Sequence, residues 1–487
     1  MRTTAQTAQK YDSDPFMQMD ATEQAMRVNS GEVSALELVD AAIGRIERLD
    51  PRLNALVSDN FDLARERART VSTEGIFAGV PTLIKDLMPY PGHATGFGSR
   101  MFHGQTSPAG SAYTEALDAA GLVVLGKSAT SEFGLLGTTE TLVNGQTRNP
   151  WDLARSPGGS SGGAVAAVAS GMVPIAHASD GGGSIRGPAS FSGLFGFKPS
   201  RGRTLPTGIP AEMPTARLIG DHCVSRSVRD SANWLRATEQ HDRASRLPSV
   251  EALKSGTERR LRIGAYRNDC FGLPPTPDAI DALDLAIGLC ERLGHEVVAI
   301  EGPKTNVDET SRAFFALTGI AVGGILDHVK QLMGDAFDIA LIEPYTREIV
   351  RRGQQFKPEA FGDLAASFSI AEALADAVMT DYDILLSPTV PFVAFPLGVH
   401  GPEEDADALN AFTQRLAGYT VIASLAGWPA MSVPLHWTSD GLPLGCHFAA
   451  AKGEDALLFS LAFQLEEAAP WQRRLADLAE KLICPSD

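Results

Sequence analysis

The stretch 156–179 carries no charged side chain, and it constrains the fold more than any other part of the chain. It is about as long as a membrane-spanning helix, which needs about 20 apolar residues. However, it opens with Ser-Pro-Gly-Gly-Ser-Ser-Gly-Gly, contains Pro174, and has mostly small apolar side chains at 164–169. Because glycine and proline interrupt helices, we interpret the stretch as a turn-rich loop that leads into a short helix buried in a globular protein.

The composition agrees with a globular protein and excludes several classes of partner. Of the 487 residues, 44% are hydrophobic and 21% are charged, which is enough apolar material for a large core. The formal net charge is -17. Because nucleic acids and anionic membrane surfaces bind clustered positive charge, we expect neither a nucleic acid nor a membrane as a partner.

The cysteines and histidines indicate a reducing compartment and no metal site. The 10 histidines form no metal-binding motif, and no Cys-x-x-Cys pair occurs. The 5 cysteines stand far apart, at Cys223, Cys270, Cys290, Cys446 and Cys484. This spacing argues against a disulfide scaffold or a structural zinc ion. Residues 1–24 are polar and lack the apolar segment of a signal peptide, so we expect a cytoplasmic protein.

Apolar periodicity predicts helices that alternate with short strands. A capping box at Ser34 and Glu37 opens one helix, which we expect to end at Pro51. The other predicted helices are 59–71, 113–120, 164–171, 278–293, 369–381 and 454–468. The strand-like runs are 78–87, 122–125, 172–178, 384–386, 430–433 and 445–449. This alternation, without repeats or a low-complexity linker, favours an α/β fold with one large domain built on a large sheet.

The segment 121–128 matches the phosphate-binding pattern Gly-x-x-x-x-Gly-Lys-Ser. That motif requires a flexible loop whose N–H groups surround phosphates. Here the four residues between the glycines are strand formers. We therefore interpret the glycines as the bounds of a strand, and Lys127 as a surface or hydrogen-bonding residue after it.

The segment 158–162 matches Gly-x-Ser-x-Gly, the nucleophile elbow of α/β-hydrolases. An elbow requires a strand directly before it and a histidine late in the chain. The preceding residues, 149–157, are turn formers, which argues against an elbow, although His447 could act as the late base. An esterase of this type, with Ser160 as nucleophile, stays open as an alternative.

Two Ser/Gly-rich turns, 158–163 and 180–186, are the strongest functional signal. Glycines let the backbone approach a ligand closely and expose successive N–H groups that can bind an anion. A hydroxyl at the end of such a turn suits the nucleophile of acyl transfer, because the neighbouring N–H groups stabilise the oxyanion that develops. Each turn alone is also compatible with a structural role.

Together with Lys85, these turns resemble the amidase signature family, serine hydrolases with a Ser–cis-Ser–Lys triad. The resemblance covers about 20–235 strongly and 380–468 loosely, and it implies a single large domain in which α-helices surround a mixed, twisted β-sheet of many strands. The segments that carry it are 79–86, 126–128, 148–151, 156–203, 427–434 and 441–445. It also implies that 21–487 form the amidase domain after a flexible tail at 1–20, with the catalytic core at about 75–235 and a variable helical region at about 240–380.

The resemblance implies specific roles in the site. Ser184 resembles the nucleophile, Ser160 the bridging serine after a cis peptide bond, and Lys85 the terminal base. The implied oxyanion-hole residues are Gly181, Gly182 and Gly183, and the supporting residues are Ser161, Asp180 and Arg186. Many relatives carry a side chain at the position of Gly181, so we expect a roomier pocket here.

In the implied mechanism, Lys85 takes a proton from Ser160, which takes one from Ser184 as it attacks the carbonyl carbon. A lysine accepts a proton only when neutral, so burial must lower the pKa of Lys85 well below its ordinary value of about 10.4. No motif places a histidine beside the two serines. No cofactor or metal is required.

The resemblance does not identify the substrate. Apolar residues such as Leu135, Leu136 and Phe191 favour a small hydrophobic or aryl amide, and a carbamate or an oligoamide is also compatible with the family. A glutamine-dependent transamidase subunit and a catalytically silent binding relative stay open, although Gly187 stands where transamidases often carry Gln. We expect a small-molecule amide or carbamate as the partner, and a homodimer is a candidate assembly.

Overall fold

The computed structural model describes residues 14–106, 109–210, 212–241, 247–250 and 259–483. The α-helices found there, α1 to α15 in chain order, are Ala21–Asn29, Ala35–Leu53, Phe61–Ala68, Ala112–Ala119, Gly162–Ala169, Arg186–Ser192, Val228–Thr238, Pro277–Arg292, Val307–Met333, Pro344–Gly353, Phe361–Met379, Ala406–Ala417, Val421–Ala426, Asp455–Ala468 and Gln472–Ile483. The β-strands, β1 to β13, are Leu56–Asp59, Pro81–Lys85, Val123–Ser128, Glu140–Thr141, Gly145–Gln146, Ile175–Asp180, Phe195–Lys198, Gly220–Ser225, Arg262–Ala265, Glu296–Ala299, Ile384–Pro388, Ala430–Trp437 and Pro443–Ala449.

An eight-stranded mixed sheet lies at the centre of the fold, in the order β10-β9-β11-β13-β12-β7-β8-β6. Strands β10, β9 and β11 are parallel, and the other neighbouring pairs are antiparallel. A smaller sheet, β1-β3-β2, lies beside strand β6, because the hydroxyl of Thr82 on β2 donates to the carbonyl of Ile175 on β6 at 2.9 Å. A second contact, from Nζ of Lys85 to Oγ of Ser179 at 3.1 Å, joins the ends of the same two strands.

A large apolar core extends through the domain, from Ala35 on α2 to Leu482 on α15, and smaller apolar clusters lie beside it. The uncharged stretch lies inside it: a loop at 156–161 leads into α5, whose residues are all buried, and then into β6. The expected α/β class, with one large domain and a mixed sheet among helices, is confirmed.

Several predicted elements need correction. Helix α2 begins at the predicted capping box of Ser34 and Glu37, but Pro51 lies inside its last turn and Asn54, in the left-handed conformation, ends it. A proline in the last turn removes one backbone hydrogen bond without preventing the next residues from completing the helix. Helix α11 begins at Phe361, earlier than predicted. The four-residue strands β9 and β10, inside the region expected to be helical, are too short for apolar periodicity to reveal.

Part of the predicted N-terminal tail packs against the domain. Met17 is buried, and its carbonyl accepts a hydrogen bond from Arg226. The side chain of Gln24 donates to the carbonyl of Phe16 at 3.1 Å. Residues 1–13 lie outside the described part of the chain.

Among the described residues, one helix, Asp308–Ala336, is long and apolar enough by length and composition to cross a membrane. About half of its most apolar stretch, 44%, is buried inside the protein. Phe314, Thr318 and Val322 on this helix line the cavity described below. Because core helices pass the same test, the feature is weak evidence for a membrane span.

Candidate active site

Lys85 lies at the end of β2 and is completely buried. Its Nζ atom lies 2.8 Å from Oγ of Ser160, 2.9 Å from Oγ of Ser161 and 3.1 Å from Oγ of Ser179. The structure therefore brings together three residues that the sequence singled out, Lys85, Ser160 and Ser161. Ser179, at the end of β6, was not predicted.

Burial lowers the pKa of Lys85 to about 7, although the carboxylates of Asp221 and Asp180 favour its charged form. The three hydroxyl groups around Nζ can satisfy a neutral amine without adding a charge. At neutral pH a large fraction of Lys85 can thus carry the free electron pair that a general base needs.

Ser160 is held by a loop with very little space. The Gly159–Ser160 peptide bond is cis, as the resemblance implies. A Cβ atom on Gly159 would lie 2.0 Å from the carbonyl oxygen of Thr138, so only glycine fits there. No strand leads into Ser160, which contradicts the nucleophile-elbow alternative.

The second glycine turn follows β6 and contains Ser184, two residues before α6 begins at Arg186. Gly183 has φ of 142°, and a Cβ atom there would lie 2.3 Å from Oγ1 of Thr420. The Thr420 hydroxyl itself donates to the carbonyl of Gly182 at 2.6 Å, which orients that peptide group. Within the described part of the chain, the N–H groups at 181–184 donate to no acceptor, so they remain available to bind an anion.

Ser184 is half-buried and faces the same cavity as Ser160. Gly181 lies on the same wall, and among the described residues a Cβ atom there would have only Ile219 within 4 Å, at 3.8 Å. This space agrees with the expectation of a roomier pocket at Gly181.

Asp180 and Arg186 brace the turn as a buried ion pair with neither side chain exposed. The guanidinium donates from Nε to Oδ2 and from Nη2 to Oδ1, both at 2.9 Å, and from Nη1 to the carbonyl of Thr420 at 2.8 Å. The N–H of Ile185 donates to Oδ2 at 3.1 Å. Although burial opposes it, the charge of Arg186 lowers the pKa of Asp180 to about 2, so this carboxylate stays ionised.

His177 lies behind Lys85, where no motif had indicated a histidine. Its Nδ1 accepts the backbone N–H of Lys85 at 3.3 Å, and its Nε2 lies 3.3 Å from Oδ1 of Asp221. Because Nδ1 accepts a hydrogen bond, Nε2 must carry the proton of the neutral ring and donate it to Asp221. Burial lowers the pKa of His177 and favours this neutral form, although Asp221 opposes the effect. Strand alternation places His177 on the same face of β6 as Ser179, but the sequence singled out neither residue for the site.

A cavity of about 750 Å³ opens onto the two serines. Its wall is mostly apolar, and it includes the predicted pocket residues Leu135, Leu136 and Phe191. Asp221 is the one charged side chain on this wall among the described residues. The cavity therefore suits a neutral, largely apolar ligand.

Two other sequence motifs have structural roles. Lys127 does not follow β3 but lies within it, fully buried, and its Nζ donates to the carbonyl of Met88 and to Oγ1 of Thr95. The prediction of a surface position is wrong, whereas that of a hydrogen-bonding role is correct. His447 is buried and accepts a hydrogen bond from Arg186 at 3.0 Å, so its Nε2 is engaged away from Ser160.

Among the described residues, no group of three or more His, Cys, Asp or Glu side chains could hold a metal ion. The described cysteines, Cys223, Cys270, Cys290 and Cys446, are buried and form no disulfide. Cys484 lies outside the described residues.

The chain is similar to known proteins over nearly its whole length. The model of the family described as Amidase matches residues 37–459. AmiC of Mycobacterium bovis, which carries the name of an amidase, is 35% identical over 473 residues, covering 94% of this chain and 96% of that protein. The structure of 6-aminohexanoate cyclic dimer hydrolase complexed with substrate is 31% identical with a TM-score of 0.88, covering 95% of this chain and 99% of that chain. A bacterial aryl acylamidase of the amidase signature family is 27% identical with a TM-score of 0.85, covering 95% and 98%.

Proposed function

The chain belongs to the amidase family, whose members hydrolyse amide C–N bonds, and we propose that it cleaves a neutral hydrophobic amide through an acyl-enzyme on Ser184. One observation supports the proposal most: the buried amine of Lys85 lies 2.8 Å from Ser160, at a cavity that Ser184 also lines. A lysine with a pKa of about 7 is a competent base at neutral pH.

In the proposed reaction, Ser184 Oγ attacks the carbonyl carbon while its proton passes to Ser160 and the proton of Ser160 passes to Lys85. The N–H groups at 181–184 stabilise the oxyanion of the tetrahedral intermediate. The relay then reverses, and Ser160 donates a proton to the leaving nitrogen as the C–N bond breaks. Water, deprotonated by the same relay, releases the acid and restores Ser184.

The cavity wall supports a neutral substrate. Among the described residues, a substrate carboxylate would find no cationic partner on this wall and would meet the negative charge of Asp221. Glutamine carries a carboxylate, which argues against a transamidase glutamine site, although Asp221 could pair with its ammonium group. Gly187 supports the same view, since it contributes no polar side chain and, among the described residues, a Cβ there would meet only Val390. The relatives named for a cyclic amide dimer and for aryl acylamides agree with neutral amides.

A fluorophosphonate probe tests the nucleophile. Trypsin leaves Ser160 and Ser184 on one peptide, 156–186, so the digest should use cleavage before aspartate, which separates 152–179 from 180–220. We expect the label on 180–220 and its complete loss in Ser184→Ala. Label on 152–179, with an active Ser184→Ala variant, would overturn the assignment.

A pair of substrates tests the charge preference. A hexanoyl amide of a neutral alkylamine should be cleaved at least about tenfold faster, in kcat/KM, than the same amide with a terminal carboxylate on the acyl chain. Equal rates would contradict the interpretation of the apolar wall.

A further inference from the structure

Phe97, Phe102 and Phe133 form an aromatic cluster on the cavity wall. The ring centroids of Phe97 and Phe102 lie 5.2 Å apart at 69°, and those of Phe102 and Phe133 lie 5.9 Å apart at 90°. Phe102 is buried, whereas Phe97 and Phe133 are half-buried. The buried ring therefore backs the other two, which leave apolar surface facing the cavity.

The backbones of Phe97 and Phe133 lie in the left-handed region, with φ of 52° and 50°. This conformation is uncommon for bulky residues, persists only where the surroundings enforce it, and is concentrated at functional sites. Of the described non-glycine residues, only Asn54 shares it. Two of these three residues thus lie side by side in the wall of one cavity.

Hydrogen bonds hold both backbones in this conformation. The N–H of Phe133 donates to the carbonyl of Phe97 at 2.9 Å, and the N–H of Phe97 donates to the carbonyl of Asp86 at 3.0 Å. The carboxylate of Asp86 accepts the N–H of Gly96 at 2.9 Å and of Gly98 at 3.3 Å. Asp86 directly follows β2, so Phe97 is fixed relative to the strand that carries the base.

The aromatic cluster lies beside the bridging serine. Gly134 follows Phe133, and a Cβ atom on it would lie 3.2 Å from Oγ of Ser160. In the proposed reaction, Ser160 donates the proton to the departing nitrogen, which must therefore lie within hydrogen-bond reach of Ser160. The turn at 181–184, which we call the oxyanion turn, has other neighbours, since a Cβ atom on Gly182 would lie 3.7 Å from the ring of Phe314. The amine half of the substrate is consequently the half nearer the cluster.

We propose that the aromatic cluster is a subsite for an aromatic ring carried by the leaving amine of an amide or carbamate. Anilides and N-benzyl amides are then the favoured class. The inference rests on the proposed function and adds to it a preference for an aromatic ring in the amine half of the substrate. Aromatic rings favour edge-to-face and offset contacts with other rings, which a saturated ring of similar size cannot form.

The test compares two hexanoyl amides, of benzylamine and of cyclohexylmethylamine. The benzyl to cyclohexylmethyl ratio of kcat/KM should fall about threefold to tenfold in Phe97→Leu and Phe133→Leu. Phe102→Leu should lower the same ratio, and its backbone has no positive φ, so it keeps the test valid if the other two variants fold poorly.

A matched control exists elsewhere in the fold. Phe392, Phe395 and Phe412 also form an aromatic trio, with centroids 4.9 to 6.3 Å apart, but they do not line the cavity. Phe392→Leu should leave the ratio unchanged. A ratio that stays constant in all three cluster variants, or that falls equally in Phe392→Leu, would overturn the subsite.

A second pair of amides places the ring in the acyl half instead, as phenylacetyl and cyclohexylacetyl N-methylamides. Their ratio should not change in the cluster variants, and a fall confined to this pair would overturn the amine-side assignment.

Failure of the proposed function is recognised separately. A wild-type protein that neither cleaves trifluoroethyl hexanoate, a ring-free activated ester, nor labels with fluorophosphonate on Ser184 would refute that function itself.

Discussion

Replacement of Asp221 by Asn should extend the activity of the enzyme to lower pH. Asp221 is the carboxylate on the cavity wall, and together with Asp180 it favours the ammonium form of Lys85, against the larger effect of burial. Removing its charge lets burial act with less opposition, so the pKa of Lys85 falls further below about 7. The acid limb of the pH–activity profile should therefore shift to lower pH.

The size of the effect follows from the neutral fraction of Lys85. With a pKa of about 7, about one tenth of the lysine is neutral at pH 6 and about half at pH 7. If the substitution lowers the pKa by about one pH unit, about half is neutral at pH 6. We expect kcat/KM to rise about fivefold at pH 6 and to change less than about twofold at pH 8.

The substitution preserves the local hydrogen bonds. The Nε2–H of His177 donates to Asp221, and the amide oxygen of Asn can accept the same proton. The tautomer of His177, and with it the hydrogen bond from the backbone of Lys85 to Nδ1, is thereby retained. A change in the pH profile then reports the lost charge rather than a rearranged strand.

The assay is kcat/KM for a neutral amide between about pH 5 and 9, for the wild type and Asp221→Asn. Asp284→Asn is the control, because it removes one negative charge from an exposed ion pair on helix α8. Its profile should match the wild type. If the pH midpoint of kcat/KM is unchanged or higher in Asp221→Asn, the group that governs activity is not Lys85 under the influence of the Asp221 charge.

Three further predictions follow from the same site. Lys85→Ala and Ser160→Ala should each lower kcat/KM for an amide about tenfold more than for an activated ester of the same acid, since only the amine must be protonated to leave; equal losses would remove the proton-return step. Gly183→Ala should abolish activity, because its methyl group would lie 2.3 Å from the hydroxyl of Thr420, whereas the activity of Gly181→Ala should stay within a few-fold of wild type. Similar rates in the two variants would contradict the role of this turn in binding the oxyanion. Asp180→Asn should lower the free energy of unfolding in urea by about 3–5 kcal/mol, because it leaves a buried guanidinium unpaired; no loss would contradict the bracing role.

The sequence predicted the parts of the site that depend on the local backbone. At Gly159 a Cβ atom would lie 2.0 Å from a backbone carbonyl oxygen, so only glycine fits there. This requirement is visible in the sequence as the Gly/Ser turns around Ser160 and Ser184. The family resemblance added Lys85, which is distant in sequence. The α/β class followed from the alternation of helices and strands.

The sequence could not predict contacts that depend on strand register. Asp221 stands opposite Ser179 because β6 and β8 pair antiparallel, and neither strand's pattern specifies its partner. Gly126 was expected to mark the end of a strand. It lies inside β3 instead. Glycine is needed there because a Cβ atom would lie 2.3 Å from the carbonyl oxygen of Ser58 on the adjacent β1. A glycine that admits a neighbouring strand and one that ends a strand look alike in sequence.

The absence of charge from 156–179 can be related to Lys85, the proposed base. Lys85 is surrounded by hydroxyl groups from this stretch, and a carboxylate in place of any of them would hold it as an ammonium ion. Asp180 comes directly after the stretch, but its charge is paired with Arg186 through two hydrogen bonds of 2.9 Å. The pairing weakens the field of Asp180 at Lys85, so burial decides the pKa. Without Arg186, Asp180 would act on Lys85 uncompensated and leave less neutral amine at pH 7.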